Sequence, residues 1–130
     1  MTAVIDALRS ALARESGVRF AILFGSHARG RADSRSDVDV AVRAPGVDRL
    51  SLAARIGAAL GVEVDVVDID EADVPLLAEI VREGIVVHEG AAGEQASWRA
   101  AALAALEIDG PWYARMRDGW LRRVARSGVS

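Results

Sequence analysis

The chain contains 130 residues, of which 52% are hydrophobic and 27% are charged, and its formal net charge is −3. This composition is typical of a single soluble domain and excludes an intrinsically disordered chain. The longest segment without Asp, Glu or Arg is the nine residues 20–28. A membrane-spanning helix needs about 20 apolar residues, so the sequence predicts no transmembrane segment.

The absence of cysteine excludes a disulfide framework and a thiolate metal site. Charged Asp6 and Arg9 lie where a secretory signal peptide would be apolar, so we expect a cytoplasmic protein. Charge is unevenly distributed along the chain. Residues 1–60 contain nine Arg and six acidic residues, residues 61–97 contain one Arg and ten acidic residues, and residues 98–130 contain six Arg and three acidic residues. The negative total argues against direct nucleic-acid binding, and the segregation predicts charged surfaces that face different partners.

The spacing of apolar residues and glycines predicts alternating helices and strands. Thr2 caps a first helix whose apolar stripe ends before Gly17. Further elements are predicted, in chain order, as strand 18–24, helix opening 26–30, strand 37–42, helix 50–60, strand 62–69, helix 76–82 and strand 85–88. Beyond a short linker, helical stretches are predicted at 96–107 and 112–126. Asp109-Gly110-Pro111 between them is expected to break or kink the helix, because proline has no N–H and clashes with the preceding turn.

This order of elements predicts an α/β (α+β) domain with a small sheet flanked by helices. Periodicity leaves open whether its strands are all parallel or mixed. We expect residues 1–93 to form the domain and residues 94–130 to form a helical tail that packs on the domain or on a partner. Four of the six aromatic residues lie in the tail and are either core residues or partner anchors: Trp98, Trp112, Tyr113 and Trp120.

A phosphate-binding corner is predicted where the first strand ends, at Leu23-Phe24-Gly25-Ser26. Glycine permits close approach of another group, and the start of a helix offers free N–H donors. Ser26 adds a hydroxyl, and Arg29 follows one turn later with a guanidinium suited to phosphate oxygens. Taken alone, the same pattern also describes a serine cap after a tight turn.

Acidic residues on two strands form a second feature. Asp37 and Asp39 project from one face of a strand, because successive side chains alternate. Neighbouring carboxylates repel each other unless a cation lies between them, and such oxygen ligands suit Mg²⁺; the alternative is two solvent-facing acids. Asp65 lies among valines, where burying an acid is costly without a functional role, so we favour it over Asp68 as a third carboxylate.

Together these features predict a triphosphate clamp facing carboxylates that hold two metal ions for displacement at phosphorus. The two histidines have weaker signals. His27 follows the serine and lies within reach of phosphate, but exposed variable residues are common at such positions. His88 is more simply explained as structural, and neither has a second ligand at the spacing of a zinc site.

Gly25-Ser26, ten intervening residues and Asp37-Val38-Asp39 match the signature of the DNA-polymerase-β-like nucleotidyltransferase superfamily. The segment Gly25-Ser26-His27-Ala28-Arg29-Gly30 resembles the minimal nucleotidyltransferases, and the resemblance extends through residues 64–67 and 79–84. The helical tail resembles that of MntA-type antitoxins, whose partner is a HEPN-domain ribonuclease toxin.

The resemblance implies a polymerase-β-like fold with a small mixed sheet and transfer of AMP from ATP, with two Mg²⁺ ions, to a hydroxyl. In the antitoxin branch the acceptor is a tyrosine of the toxin, which implies a hetero-oligomer with that toxin. The nucleotide-binding positions of the family correspond here to Gly25, Ser26, Arg29 and Gly30. The catalytic and metal-binding positions correspond to Asp37, Asp39 and Asp65.

Within this assignment, the resemblance implies that Gly25 and Ser26 hold the β- and γ-phosphates and that Asp65 accepts the proton of the acceptor hydroxyl. Two other functions stay open. One is nucleotidyl transfer to a small molecule such as an aminoglycoside, although the chain is short for an added acceptor domain. The other is a binding module that neutralises a toxin by contact alone. The presence of all three carboxylates favours an enzyme.

Overall fold

The computed structural model describes residues 2–32 and 36–126. These residues form four α-helices and four strands: α1 (Thr2–Ala13), β1 (Phe20–Phe24), β2 (Val38–Arg43), α2 (Arg49–Leu60), β3 (Val64–Asp68), α3 (Val74–Glu83), β4 (Ile85–Glu89) and α4 (Glu94–Arg126). The predicted α/β class is therefore confirmed. None of the described helices combines the length and the apolar character needed to cross a bilayer.

The strands form one mixed sheet in the order β3-β2-β1-β4. Strand β1 is antiparallel to both β2 and β4, whereas β2 and β3 are parallel and are connected by a crossover through α2. The mixed alternative left open by periodicity is thus the correct one. Because β1 runs opposite to β2 and β3, the residues that follow β1 lie beside the residues that begin those two strands.

Helices cover both faces of this sheet. The face under α1 and α2 buries one side of the strands, including Ala21, Leu23, Val38, Val40, Val64 and Val66. The opposite face, under α3 and the first turns of α4, buries Phe20, Ile22, Phe24, Ala41, Ile80, Trp98 and Ala102. Alternation along β2 consequently directs Val38 and Val40 to the α1–α2 face and the intervening Asp39 to the α3 face.

The segment 26–30 is a series of turns, and the helix opening predicted there is wrong. The N–H of Arg29 donates to the carbonyl of Gly25 at 3.1 Å, and the N–H of Arg31 donates to the carbonyl of Ser26 at 3.0 Å. Gly30, with φ of +71°, then leads the chain away from a helical path. Because Gly30 is left-handed and lies only five residues after Gly25, the segment has room for a single turn of helix-like backbone.

The tail forms a single helix, α4, which runs through Pro111. Of the two alternatives expected at residues 109–111, a break or a kink, the break is therefore wrong. Proline has a φ angle compatible with a helix, and its missing N–H leaves the carbonyl of Glu107 without its helical donor. Glu107 and Pro111 are both exposed, so water can satisfy that carbonyl. The lost hydrogen bond is therefore tolerated at this position.

Among the aromatic residues of the tail, Trp98 is a core residue, with 8% of its surface exposed and its ring centroid 5.8 Å from that of Phe20. The side chains of Trp112, Tyr113 and Trp120 lie outside the described residues. The first turns of α4 therefore pack on the sheet. The division of the chain at residues 93 and 94 stays a prediction.

Candidate active site

The acidic residues converge at the end of the sheet where β1 stops and where β2 and β3 begin. Asp39 in β2 pairs with Phe24 of β1 on one side and with Asp65 of β3 on the other. Directly paired residues point to the same face of a sheet, so the side chains of Asp39 and Asp65 project side by side. Asp37 lies just before β2, near enough for its charge to act on Asp39.

Gly25 allows the end of β1 to approach this acidic group. Its φ of +78° lies in the left-handed region, which favours glycine. A Cβ atom at this position would collide with Oδ2 of Asp39. Gly25 thus meets two separate requirements, a backbone angle and an absence of side chain, and the Asp39 carboxylate lies directly against the turn.

The turn that follows Gly25 presents hydrogen-bond donors. Within the described ranges, the N–H groups of Ser26, His27 and Ala28 donate to no backbone carbonyl. Consecutive free N–H groups in a turn form a concave site suited to an anion. The predicted phosphate corner therefore keeps its donors even though the helix on which the prediction was based does not form.

Arg29 and Gly30 occupy the end of the turn. The Nη1 atom of Arg29 lies 3.2 Å from Oε2 of Glu83 and 3.4 Å from Oε1 of Glu79, both on α3. The guanidinium thereby attaches the turn to α3, a contact that spacing along the sequence did not predict. Gly30 is exposed and reverses the chain.

Asp39 is the electrostatic centre of the group. Burial raises the pKa of its carboxyl above the ordinary value, and the negative charges of Asp65, Asp37 and Glu79 raise it further, whereas His27 lowers it. The raised pKa means that burial, and after it the neighbouring negative charges, destabilise the ionised form of Asp39. A bound cation would relieve that destabilisation.

The expectation that Asp65 is buried is wrong, because β3 is an edge strand and the Asp65 side chain is exposed. It nevertheless reaches the site through its pairing with Asp39. Asp68 points to the opposite face of β3, where it borders a cavity with Val42 and accepts a hydrogen bond from the N–H of Asp70 at 2.9 Å. The structure therefore brings Asp65 to the site and gives Asp68 a local structural role.

A closed metal site is not formed by the protein alone: in residues 2–32 and 36–126, no three His, Cys, Asp or Glu side chains are placed to hold a metal ion. Mg²⁺ commonly uses only one or two carboxylates and completes its shell with water and substrate phosphates. Asp37, Asp39 and Asp65 supply hard oxygen donors, the first and the last of them repel Asp39, and the Asp39 carboxylate lies against Gly25. This donor set fits Mg²⁺ bound together with a nucleotide.

His27 was the least expected residue of the site. Only 6% of its surface is exposed, and the described part of the chain buries no other polar or charged side chain. Its Nε2 atom lies 3.1 Å from the carbonyl oxygen of Ser36, the residue that precedes Asp37. The sequence carried no signal for this contact, because it depends on the three-dimensional path of the chain.

Comparison with known families gives one domain match. The family described as "Polymerase beta, Nucleotidyltransferase" matches residues 6–91. A curated relative, the protein adenylyltransferase MntA of Shewanella oneidensis, is 36% identical over 66 residues, which cover 48% of this chain and 48% of the relative. The chain thus matches about half the length of that relative.

Solved structures with the same fold come from toxin–antitoxin complexes. A chain of a toxin–antitoxin complex with AMP-PNP aligns with a TM-score of 0.71 and 24% identity, covering 89% of this chain and 98% of that chain. A complex of MNT antitoxin with a tri-AMPylated HEPN toxin from Shewanella oneidensis aligns with a TM-score of 0.65, 21% identity and coverage of 89% and 98%. At these identities the alignments show a common fold, which together with the family match over residues 6–91 confirms the predicted polymerase-β-like architecture.

Proposed function

This chain belongs to the polymerase beta nucleotidyltransferase family, and we propose that it transfers AMP from ATP to a hydroxyl group with Mg²⁺ as the cofactor. One observation carries the proposal: the Asp39 carboxylate lies beside Asp65 and directly against Gly25, the residue that begins the turn. The curated relative, a protein adenylyltransferase, and the structure with AMP-PNP support ATP as the nucleotide.

The turn after β1 holds the triphosphate in this proposal. The N–H groups of Ser26, His27 and Ala28 donate to phosphate oxygens, and the hydroxyl of Ser26 adds a further donor. Gly25 contributes the absence of a side chain between this turn and Asp39. With the β- and γ-phosphates bound here, the pyrophosphate leaving group is held in place while the α-phosphorus is attacked.

The residues that would hold Mg²⁺ are Asp37, Asp39 and Asp65. The bound cation supplies neutralisation of the charge that develops on the phosphate oxygens and the leaving group. The acceptor oxygen attacks the α-phosphorus, and the bond between the α-phosphorus and the oxygen bridging it to the β-phosphate breaks. An AMP ester of the acceptor and pyrophosphate form. Asp65 accepts the proton of the acceptor hydroxyl, a role that its exposed position at the edge of the sheet favours.

The acceptor we propose is a tyrosine of a HEPN-domain ribonuclease toxin, which this protein binds and adenylylates as an antitoxin. Similarity to MntA and the common fold with chains of HEPN toxin complexes support this partner. Helix α4 offers apolar surface for a protein partner, since Leu103 is 45% exposed and Ile108 is 76% exposed.

The test is transfer of radiolabel from ATP, labelled at the α-phosphate, to a HEPN-domain protein encoded in the adjacent reading frame. We expect label on that protein in the presence of Mg²⁺, none with EDTA, and none from ATP labelled at the γ-phosphate. Tyrosine-to-phenylalanine variants of the partner then locate the acceptor.

Two results would contradict parts of this proposal. Labelling of an aminoglycoside, with none of the protein, would replace the protein acceptor by a small molecule. Full neutralisation of the toxin by the Asp39→Asn variant without any label would indicate a module that acts by contact alone.

A further inference from the structure

We propose that His27 is a positioning residue that fixes the phosphate-binding turn relative to Asp37 and Asp39. This inference rests on the proposed function, because it assigns a role within the same site. His27 lies two residues after Gly25, in the middle of the turn, and its side chain is directed inward with 6% of its surface exposed. Burying an imidazole is unfavourable unless its polar atoms find partners, so the contacts of this side chain determine why it is tolerated.

The contact that the structure gives His27 is with the backbone of Ser36, at 3.1 Å between Nε2 and the carbonyl oxygen. A carbonyl oxygen only accepts hydrogen bonds, so Nε2 must carry the proton and donate it. The Nε2 proton of the imidazole is therefore committed to this contact. The bond joins two segments that the sequence separates by nine residues.

These two segments lie beyond the part of the chain that the sheet holds in place. The pairing of β1 with β2 ends at Phe24 and Asp39, and the turn after β1 and residues Ser36 and Asp37 lie outside this ladder. The hydrogen bond from His27 to Ser36 therefore continues the connection between the two strands past the end of the sheet. On one side it holds the turn that carries the free N–H groups, and on the other it holds the backbone immediately before Asp37.

A nucleotide that binds to both segments requires a fixed distance between the N–H groups that hold its phosphates and the carboxylates that hold the metal ion. An error of about 1 Å in such an alignment is enough to lower the rate by about 100-fold. Loss of the bond should therefore lower kcat for AMP transfer more than it weakens binding of metal-free ATP, since the turn keeps its own donors. A residue that served stability alone would lower the melting temperature and leave kcat at lower temperature unchanged.

The experiment compares three variants of His27 with a matched control. His27→Leu removes the donor and keeps an apolar side chain of similar size, His27→Gln keeps an N–H donor of similar reach, and His27→Asn carries a shorter one. His88→Leu is the control, because His88 is half-buried beside Ala21 at the opposite end of β1. We expect kcat to fall about 10- to 100-fold in His27→Leu, to recover to within about threefold of wild type in His27→Gln, and to be unchanged in His88→Leu.

A second measurement does not depend on catalysis. Hydrogen–deuterium exchange of the free protein should become faster in residues 25–31 and 36–40 of His27→Leu, and should be near wild type in His27→Gln. If the wild type transfers no AMP, the proposed function fails, whereas the exchange experiment still tests the positioning role.

Several results would overturn the inference. Wild-type kcat together with unchanged exchange in His27→Leu would do so, as would an equal loss of kcat in the Leu and Gln variants. Should His27→Leu fail to fold, the Gln and Asn variants decide the matter: activity in Gln and a loss in Asn would support the role, and equal activity in both would contradict it.

Discussion

The two ends of the central sheet carry charge in opposite ways. At the end where β2 finishes, opposite charges are paired: the Nη2 atom of Arg43 lies 2.6 Å from Oδ1 of Asp70, and its Nη1 atom lies 3.4 Å from Oε1 of Glu94. The same guanidinium lies 5.2 Å from the ring centroid of Phe20. We refer to this group of residues as the arginine end.

At the other end, like charges are brought together. Asp39 lies beside Asp65 and near Asp37, and its pKa is raised by burial and by these charges. A glycine with positive φ makes room for its carboxylate. We refer to this as the carboxylate end. The two ends therefore differ in what their charges do for the fold. Paired charges stabilise it, whereas repelling carboxylates reduce its stability, a cost that a bound cation would offset in the function proposed above.

The largest effect that tests this contrast is expected from Asp39→Asn. We expect AMP transfer to fall by about 1,000-fold, since neutralisation of phosphate charge contributes several kcal/mol to the rate. The melting temperature should stay the same or rise, because the substitution removes a charge that is destabilised by burial and by the neighbouring carboxylates. A labelled-ATP assay and thermal melts measure both quantities, with Asp70→Asn at the arginine end as the control that lowers stability alone. Normal activity in both Asp37→Asn and Asp39→Asn would exclude the metal-binding role.

A second comparison sets Asp65 against Asp68, three residues apart on opposite faces of β3. Asp65→Ala should lower kcat by about 100-fold, the contribution typical of a general base. Asp68→Ala should leave kcat within about threefold and lower the free energy of unfolding by about 1 kcal/mol, because it removes the acceptor for the Asp70 N–H. Equal losses of kcat in the two variants would show that the pairing of β3 with β2 does not select the catalytic carboxylate.

A comparison of two glycines with the same φ angle distinguishes the effect of backbone strain from the effect of close approach to Asp39. Gly25 and Gly46 both have φ of +78°, but a Cβ at Gly46 meets nothing within 4 Å, whereas one at Gly25 collides with Asp39. Each alanine variant should lose about 1 kcal/mol of stability through the left-handed angle. Gly25→Ala alone should also lower AMP transfer, by about 10- to 100-fold, because it displaces the carboxylate. Loss of activity in Gly46→Ala would attribute the effect to backbone strain.

At the arginine end we expect an effect on stability and none on activity. Arg43→Met keeps the apolar stem and removes the charge, and should lower the free energy of unfolding by about 1 kcal/mol, the sum of partly exposed ion pairs and a cation–π contact. AMP transfer should remain within about twofold of wild type. Denaturant titration and the labelled-ATP assay check the two expectations, and a tenfold loss of transfer would show that the two ends are coupled.

The smallest effect is the dependence of stability on pH at the carboxylate end. The pKa of Asp39 in the folded protein lies above its ordinary value of 3.8, so the folded state binds this proton more tightly than the unfolded state. Stability from this group is therefore lost as the pH rises from about 3.8 through the folded pKa. In EDTA, Asp39→Asn should be more stable than wild type at pH 7 and nearly equal to it below pH 3.8. If the difference in stability between Asp39→Asn and wild type decreased as the pH rose, the destabilisation of the ionised Asp39 carboxylate would be contradicted.

Most of the helices and strands could be predicted from the sequence, because they depend on local spacing. The same holds for Gly25, which ends an apolar strand, and for Asp37 and Asp39, whose alternation with valine places them on one face. The exposure of Asp65 could not be predicted, because it depends on which strand forms the edge of the sheet. The continuation of α4 through Pro111 likewise depends on the exposure of the carbonyl that proline leaves free.

The sequence by itself therefore determined the fold class, the residue types of the site and the spacing that relates it to a family of nucleotidyltransferases. Only the tertiary structure decided which of those residues meet. The pairing of Asp39 with Asp65, the attachment of Arg29 to α3 and the contact of His27 with Ser36 join segments that are distant in the chain. Such contacts follow from strand order and register, which are set by the packing of the whole domain, and no local pattern of residues specifies them.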